Sequence, residues 1–372
     1  RRKESDVMRD DVLHWLEGRP TGKRPSKESL NHPGILSLVS GRDPFTETPG
    51  AFLRAYEALG IDIINMIPQE NAPPQVEPGK VVWKHGGRVQ ESYLGVYNTT
   101  SRVTFPFSTV EEFWNADVAS LRYDDLDLPG AQYLMPCTPA AIDCKDSLAG
   151  RVGVYYYQLY TTLFMWAVEA LGWEVFMLAA ATEPERFDKH FLRPMFEKTK
   201  RFVTMLSKLD TPWVWCHDDI AMATGPIFGP DWYDAYIFPR YRELWKIPHA
   251  HGKKVFFVAD GKLDWALEPL RESGCDGIMF ESPATCLEAV TDIWGDALFV
   301  GGIDAHVLTG GDPEGVRCHV TDVCRKACDY RGFALCCSGG LVGNMPLRNV
   351  EAYFDARAEY GYTRADWRTC AR

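Results

Sequence analysis

Carboxylate side chains follow three apolar runs in the second half of the chain, at the point where each run ends. Asp260 closes the segment KVFFVAD, Glu281 closes DGIMFE, and Asp304 closes ALFVGGID. Acids that recur at strand ends are hard to assign to a hydrophobic core. Their oxygens suit a general base, a metal ligand or an anchor for a substrate amine or hydroxyl. The pattern therefore predicts a polar active site at one edge of a sheet.

A fourth polar group, CHDD, ends the run WVWCH. Because side chains alternate along a strand, Asp218 and Asp219 cannot both face the same pocket, so one points inward and the other caps the next turn. His217 is a ligand or general base in one interpretation and a structural histidine in the other. The residues that we expect to carry catalysis are Asp260, Glu281, Asp219 and His217.

Each of these acids also has a structural interpretation. Asp260 could cap the helix that starts near Leu263, and Glu281 could form a salt bridge at the rim of the sheet. Asp304 could fix its loop by accepting hydrogen bonds from backbone amides. The residues that we expect to contact a substrate are Tyr157, Gln158, Asn65, Phe228, Asp304 and His306.

The elements that must position these residues alternate strictly between strand and helix. The apolar runs read as parallel strands covered on both faces, and βαβ order predicts a barrel with its chemistry at the carboxyl ends. The predicted strands are Trp213–His217, Lys254–Asp260, Asp276–Glu281, Ala297–Asp304 and Gly332–Cys337. The predicted helices are Trp232–Ala250, Leu263–Ser273, Pro313–Tyr330 and Leu347–Tyr360.

The first half fits the same scheme less regularly. Ile61–Ile67 is the predicted first barrel strand, and Arg151–Tyr157 is the predicted second one. Between them, Val81–Phe105 alternates like antiparallel strands with a turn at His85–Gly87. The prediction is an α/β (β/α)8 TIM-like barrel forming a single domain over residues 1–372. An N-terminal helical and β-hairpin insertion near 81–105 would cap its mouth.

Composition excludes several classes of function. The formal net charge of −11 argues against nucleic acid, because phosphate binding needs clustered Lys and Arg. The 11 cysteines have no disulfide-framework spacing, which predicts free thiols and a cytoplasmic protein. The most apolar segment, Val152–Thr182, is interrupted by Gln158, Glu169 and Glu174. We therefore predict a buried helix there and no membrane span.

Several motifs in order resemble the uroporphyrinogen decarboxylase-like superfamily. The segment HDDIAMATGPIFGPDWYDAYIFPRYRELWKIPHAHGKKVFFVADGKL is similar to its core signature: an acidic pair, Gly-Pro, an aromatic helix and His-Gly-Lys before a strand. GCDGIMFESPA, GGIDAHVLTGGDPEGV and GFALCCSGGLVGNMPLRNVEAYF continue the resemblance. The resemblance covers roughly Gly150 to Tyr360.

The resemblance implies two chemistries: cofactor-free decarboxylation, and methyl transfer from a small molecule to a corrinoid on a partner protein, often with zinc. The decarboxylase element Arg-Gln-Ala-Gly-Arg has no counterpart in GRPTGKRPSKESLNHPG. The zinc-type His-x-Cys is also replaced, with Val258 at the His position and Asp260 at the Cys position. Gly339 or Gly340 stands where a later ligand is expected, and Cys336 and Cys337 come slightly earlier. The candidate ligands of zinc or another divalent metal are therefore Asp260, Glu281 and Cys337.

The function that we predict is a corrinoid-dependent methyltransferase of the O- or N-demethylase type. The expected partners are a small-molecule substrate, a corrinoid protein that supplies cobalamin, and a second copy of the chain in a homodimer; nucleic acid and membrane are not expected. Two alternatives stay open. One is a cofactor-free decarboxylase or lyase, and the other is a degenerate barrel that binds a ligand without turnover.

Overall fold

Parallel strands alternate with helices through the second half of the chain. A computed structural model describes residues 4–72 except 20, 22, 66 and 69, residues 83–118 except 86, 87, 94, 97, 98 and 104, and residues 153–369 except 296. Its strands are β1 (Ile63–Ile64), β2 (Trp83–His85), β3 (Arg88–Tyr93), β4 (Thr99–Val103), β5 (Val154–Tyr155), β6 (Gln158–Tyr160), β7 (Trp213–His217), β8 (Ala221–Met222), β9 (Gly225–Pro226), β10 (Lys254–Ala259), β11 (Gly277–Phe280), β12 (Leu298–Ile303) and β13 (Phe333–Cys337).

Helices follow most of the parallel strands, and some of them begin at a side-chain cap. The Asp312 side chain, for example, accepts from the Gly315 N–H at 2.8 Å, and Pro313 opens the helix behind it. The α-helices are Glu4–Leu16, Pro33–Ser40, Thr48–Leu59, Val110–Asn115, Phe164–Thr182, Pro184–Phe187, Arg193–Leu206, Pro230–Tyr236, Phe238–Ala250, Leu267–Glu272, Leu287–Trp294, Ala305–Gly310, Pro313–Lys326 and Leu347–Glu359, with a π-helical turn at Asp188–Leu192.

The main sheet is parallel and has the order β13-β12-β11-β10-β7-β6. Its five longer strands coincide with the five apolar runs, so the α/β character of the second half is confirmed. A separate parallel pair joins β1 to β5, inside the segments predicted as the first two barrel strands. The regular ladders do not join into one closed barrel. Isolated bridges connect their edges, pairing Ser26 with Leu335 and Lys27 with Ile63.

The segment around Lys27 corrects the predicted strand count in the first half. It lies between β1 and β13: the Lys27 N–H donates to the Leu335 carbonyl at 3.0 Å, and the Ile63 N–H donates to the Ser26 carbonyl at 3.0 Å. Ile61–Ile67 is therefore the second strand-like segment of the chain, not the first. The predicted hairpin is confirmed as the antiparallel sheet β2-β3-β4, whereas its position over a barrel mouth stays a prediction.

Two hydrophobic clusters lie on opposite sides of the strands. The smaller one, called the inner cluster here, takes alternate strand residues together with Trp15 from the first helix. Its members are Val12, Trp15, Leu16, Ile63, Val154, Tyr156, Trp213, Trp215, Phe256, Val258, Leu298, Val300, Ala334 and Cys336. The larger outer cluster takes the residues between them and the apolar helix faces. This division follows from the two-residue period of a strand.

The helix Phe164–Thr182 is long and apolar enough to cross a membrane, but 67% of its most apolar window is buried inside the protein. Gly172 interrupts the helix with φ 74°, and an added Cβ there would come within 2.7 Å of the Phe105 ring. A helix that is kinked and mostly buried is packed as part of the hydrophobic core. The prediction of a buried helix at this position is confirmed.

A buried ion pair fastens the Lys27 segment to the last helix. Arg357 Nη1 donates to Glu28 Oε1 at 2.6 Å, both side chains are fully buried, and the Tyr353 hydroxyl donates to the same oxygen. Burial raises the pKa of Glu28, against the opposing effect of Arg357. Because Glu28 points outward, its neighbour Lys27 must point to the inner side.

Gly277→Ala is expected to lower the free energy of unfolding by about 1–3 kcal/mol, because it overpacks the inner cluster. An added Cβ would meet the Phe256 ring at 2.4 Å. That ring stacks on Trp215 with centres 4.6 Å apart and has no room to yield. Gly310→Ala is the control, since nothing lies within 4 Å of its added Cβ. Urea denaturation of both variants checks this, and equal stability would contradict it.

Candidate active site

Because side chains alternate along a strand, the polar residues at the strand ends lie on the inner side. Tyr156, Trp215 and Val258 belong to the inner cluster, so the residues two positions later, Gln158, His217 and Asp260, extend the same side toward the carboxyl ends. Met279 packs on this cluster too, which places Glu281 on the inner side. Asn65 follows Ile63 in the same way. These five residues form a layer, called the polar layer here, at the carboxyl ends of the strands and next to the apolar inner cluster.

His217, Asp219 and Asp260 come together at the ends of β7 and β10. One ligand atom from each lies within 4.8 Å of the other two. Asp219 Oδ1 is 2.9 Å from His217 Nε2 and accepts from the Asp260 N–H at 2.8 Å. Asp219 thereby holds both neighbours, while the Asp260 side chain stays open to solvent.

Gln158 orients the imidazole from the other side. Its Nε2 lies 2.6 Å from His217 Nδ1. With the amide in this orientation Nδ1 accepts, and Nε2–H donates to Asp219. The opposite amide orientation would let Nδ1–H donate to Gln158 and would free Nε2 to bind a ligand. The orientation of the Gln158 amide and the tautomer of His217 therefore determine each other.

The charges in this cluster raise or lower one another's pKa values. Burial opposes charge on His217, but Asp219, Asp260 and Asp218 outweigh it and raise its pKa. Asp219 is also disfavoured by burial, yet His217 and the Asp260 N–H hold its pKa below the usual value. Crowding by protein atoms, Asp219 and Glu281 raise the pKa of Asp260 to about 6, although the side chain remains accessible to water. Asp260 can therefore hold or release a proton near neutral pH.

The two adjacent acids have separate roles, as alternation predicts. Asp218 is fully buried on the outer side and accepts five hydrogen bonds. Three of the donors are the first N–H groups of the Phe164–Thr182 helix and its approach, each at 2.7 Å. Asp218 is the structural acid, and Asp219 belongs to the site.

Gly261 brings Glu281 next to Asp260. Its φ of 84° is left-handed, and an added Cβ would lie 2.5 Å from the Ala221 carbonyl oxygen, so glycine is required there. The Gly261 N–H donates to Glu281 Oε2 at 3.3 Å. Glu281 is thus held beside the cluster, and it forms no salt bridge with the residues that the structure describes.

Comparison with known proteins decides the family. The sequence model of the uroporphyrinogen decarboxylase (URO-D) family matches residues 161–360, which is more than half of the chain. The chain belongs to the URO-D family. The resemblance inferred from the motifs is thereby confirmed. No curated protein matches this URO-D family member by sequence.

Solved structures resemble this chain to different degrees, and the one with a TM-score above 0.5 supports the fold. A methyltransferase from Methanosarcina mazei has a TM-score of 0.64 and 16% identity, covering 95% of this chain and 98% of that one. A D-psicose 3-epimerase from Clostridium cellulolyticum H10 has a TM-score of 0.40 and 10% identity, covering 62% and 87%. A xylose isomerase-like TIM barrel protein from Mycobacterium smegmatis has a TM-score of 0.33 and 11% identity, covering 61% and 81%.

Three predicted site residues of this URO-D family member lie away from the cluster. Tyr157 faces the outer side of the strands and packs in the outer cluster, where its ring centre lies 4.9 Å from that of Tyr155. Phe228 stacks on Trp232 at 4.4 Å and packs on the same cluster. Cys337 is fully buried on the outer side, so the structure does not bring it to the cluster, and its role as a metal ligand stays a prediction.

Asp304 has the structural role of accepting a hydrogen bond from a backbone amide in its own loop. Its Oδ1 accepts from the His306 N–H at 2.8 Å and lies 2.9 Å from His306 Nδ1, which caps the helix Ala305–Gly310. The His306 side chain is 83% exposed. The structure therefore places both residues in a helix cap, and their contact with a substrate stays a prediction.

Sequence reasoning missed Lys27 and Ser29. Both lie on the inner side of the segment that bridges β1 and β13, and Ser29 Oγ donates to Asn65 Oδ1 at 3.1 Å. The charged run SKES concealed a strand-like segment. Its two-residue alternation, with Lys27 and Ser29 inward and Glu28 and Leu30 outward, was the available signal.

The zinc pattern of related methyltransferases does not fit these residues, but a different one does. Val258 packs in the inner cluster and cannot replace a histidine ligand. His217, Asp219 and Asp260 instead offer one nitrogen and two carboxylate ligands close enough to share an ion. Such a set suits Zn, Mn, Fe or Ni and leaves a coordination position open.

Proposed function

We propose that this URO-D family member is a corrinoid-dependent methyltransferase that demethylates a small O- or N-methylated molecule. The observation that carries the proposal is the His217–Asp219–Asp260 cluster at the strand ends. It lies in a fold that matches a methyltransferase over nearly the whole chain. The proposal includes a cytoplasmic location and a separate corrinoid protein as partner.

The site would lie at the mouth of an eight-membered ring of strands. The segment around Lys27 bridges to β1 and β13, β1 pairs with β5, and the continuous segment 154–160 carries the pairing on to β7 through β6. Together with the main sheet this order returns to its starting point. A corrinoid protein docked over such a mouth would face the polar layer directly.

The residues of the cluster would act on the heteroatom that loses its methyl group. The methyl carbon–heteroatom bond breaks as the methyl group passes to the cobalt of the corrinoid, and the heteroatom takes a proton. Asp260 can hold that proton, because its pKa is about 6. Asp219 and Gln158 fix His217 next to it. If a divalent ion were held by His217, Asp219 and Asp260, it would take the place of that proton and supply Lewis acidity to the same leaving atom.

A cofactor-free decarboxylase is the second candidate. The same raised pKa of Asp260 favours it, because an acid that is partly protonated near neutral pH can stabilise a protonated intermediate without a metal. This candidate predicts release of carbon dioxide by the purified chain alone. The two functions therefore differ in their need for cobalamin.

The test is anaerobic incubation of the purified protein with chemically reduced cobalamin and a panel of methoxyaromatics and methylamines. We expect the methylcobalamin absorption spectrum to appear with at least one donor and to depend on donor concentration. Omission of the protein is the blank, and a corrinoid methyltransferase of known activity is the positive control. No signal across the panel while the control is active would contradict the proposal.

A further inference from the structure

Lys27 is a buried cation on the inner wall that the proposed reaction does not use. The residue is 2% exposed, and its bridge partner Ile63 belongs to the inner cluster. Nζ donates to Ser29 Oγ at 2.8 Å, and Ser29 donates in turn to Asn65. Because Asn65 belongs to the polar layer, the ammonium reaches the level of the active site.

Glu28, the next residue along the chain, attracts this ammonium electrostatically. Within the part of the chain that the structure describes, Lys27 forms no ion pair, and Glu28 is engaged by Arg357 on the outer side. Tyr156 and Cys336 are its nearby inner-cluster neighbours, and burial raises the pKa of each to about 12, so both are neutral at pH 7. On the inner side, the described residues therefore supply no ion-pair partner for Lys27, and a ligand carboxylate would be one.

Lys27 also faces the catalytic cluster. Along the pairings, Lys27 is four steps from Asp260 through β1, the segment 154–160, β7 and β10. It is also four steps away through β13, β12, β11 and β10. The two residues thus stand on opposite sides of this ring of strand pairings.

We propose that Lys27, supported by Ser29, binds a carboxylate of the methyl donor, so that the substrates are small methylated carboxylic acids. The carboxylate would receive a charge-assisted hydrogen bond from Nζ, while the methylated heteroatom lies at Asp260 on the far wall. A monoanion fits better than a phosphate, because one lysine faces the three carboxylates Asp219, Asp260 and Glu281. Calling the ligand a methyl donor rests on the proposed function. The binding test below does not depend on methyl transfer.

The test measures binding without turnover or cobalamin. Calorimetry compares two carboxylates, 4-methoxybenzoate and N,N-dimethylglycine, with their neutral amides on the wild-type protein and on Lys27→Met. On wild type we expect at least one carboxylate to bind about 10–100-fold more tightly than its amide, the range of a charge-assisted hydrogen bond. Lys27→Met should remove this preference and leave amide binding unchanged.

Two further measurements separate substrate binding from a structural role. Lys27→Met should still unfold in one cooperative transition, because methionine keeps an apolar stem of similar length in the inner wall. Ser29→Ala, a milder change, should reduce the carboxylate preference about 3–10-fold by releasing Nζ from its hydrogen bond. Equal affinity for acids and amides, no binding of either acid, or a Lys27→Met protein that loses both ligands alike would overturn the proposal. Methyl transfer could fail while this preference holds, so the two proposals fail separately.

Discussion

Asp218→Asn is expected to lower the free energy of unfolding by about 3–5 kcal/mol, because it leaves buried donors without an acceptor. Asp218 Oδ2 accepts from the N–H groups of Leu163 and Phe164 and from the Tyr241 hydroxyl. Oδ1 accepts from the Met165 N–H. An asparagine must place its NH2 group against one of these sets, and a backbone N–H cannot turn away.

The neighbouring acid supplies a matched control. Asp219→Asn removes the same charge one residue further along, where the carboxylate is partly exposed and an amide oxygen can still accept from the Asp260 N–H. We expect its cost to stability to stay below about 1 kcal/mol. Urea denaturation of the two variants measures the difference. If both variants were equally stable, Asp218 would not be the structural acid.

Asp260→Asn is expected to lower the rate of methyl transfer at least about 100-fold, the usual contribution of a positioned acid or base. The asparagine keeps the size of the side chain but can neither release a proton near pH 6 nor bind a divalent ion as a carboxylate does. Since the Asp260 side chain is exposed to solvent, the free energy of unfolding of the variant should change little. Initial rates of methylcobalamin formation and melting temperatures check both statements.

Asp304→Asn is the control for Asp260. Asp304 also ends a strand, but its carboxylate caps a short helix, and asparagine is a good capping residue. We expect the activity of this variant to stay within about threefold of wild type, as for a surface cap change. If the two variants lost similar activity, the carboxylate of Asp260 would act by supporting the structure of the strand ends and not as an acid, a base or a ligand.

The second half of the fold was predictable because its strands are apolar on both faces. A strand such as Phe333–Cys337 cannot be confused with a loop, and its helix partners show the expected period. The site at the strand ends followed from the same runs, since the residue after the last apolar position must lie at the carboxyl edge. The position of His217, Asp219 and Asp260 at this edge was therefore predictable from the sequence alone.

The first half was less predictable because its strand-like segments are short and polar. Lys27 and Glu28 make their segment resemble a loop, and only tertiary contacts show that Glu28 pairs with Arg357 while Lys27 faces inward. Tyr157 and Gln158 illustrate the other difficulty. Neighbouring residues of a strand face opposite sides, so an error of one residue moves a side chain from the site to the outer cluster. A run in which every residue is apolar does not indicate which residues face which side.

The measurement that tests the central claim most directly follows the methyl group itself. The protein is incubated anaerobically with reduced cobalamin and a donor whose methyl carbon carries a heavy isotope, and the cobalamin product is examined by NMR. Our account predicts that the labelled carbon appears bonded to cobalt at a rate that falls sharply in Asp260→Asn. Unlabelled cobalamin, together with carbon dioxide released from a carboxylate substrate, would contradict methyl transfer and favour decarboxylation.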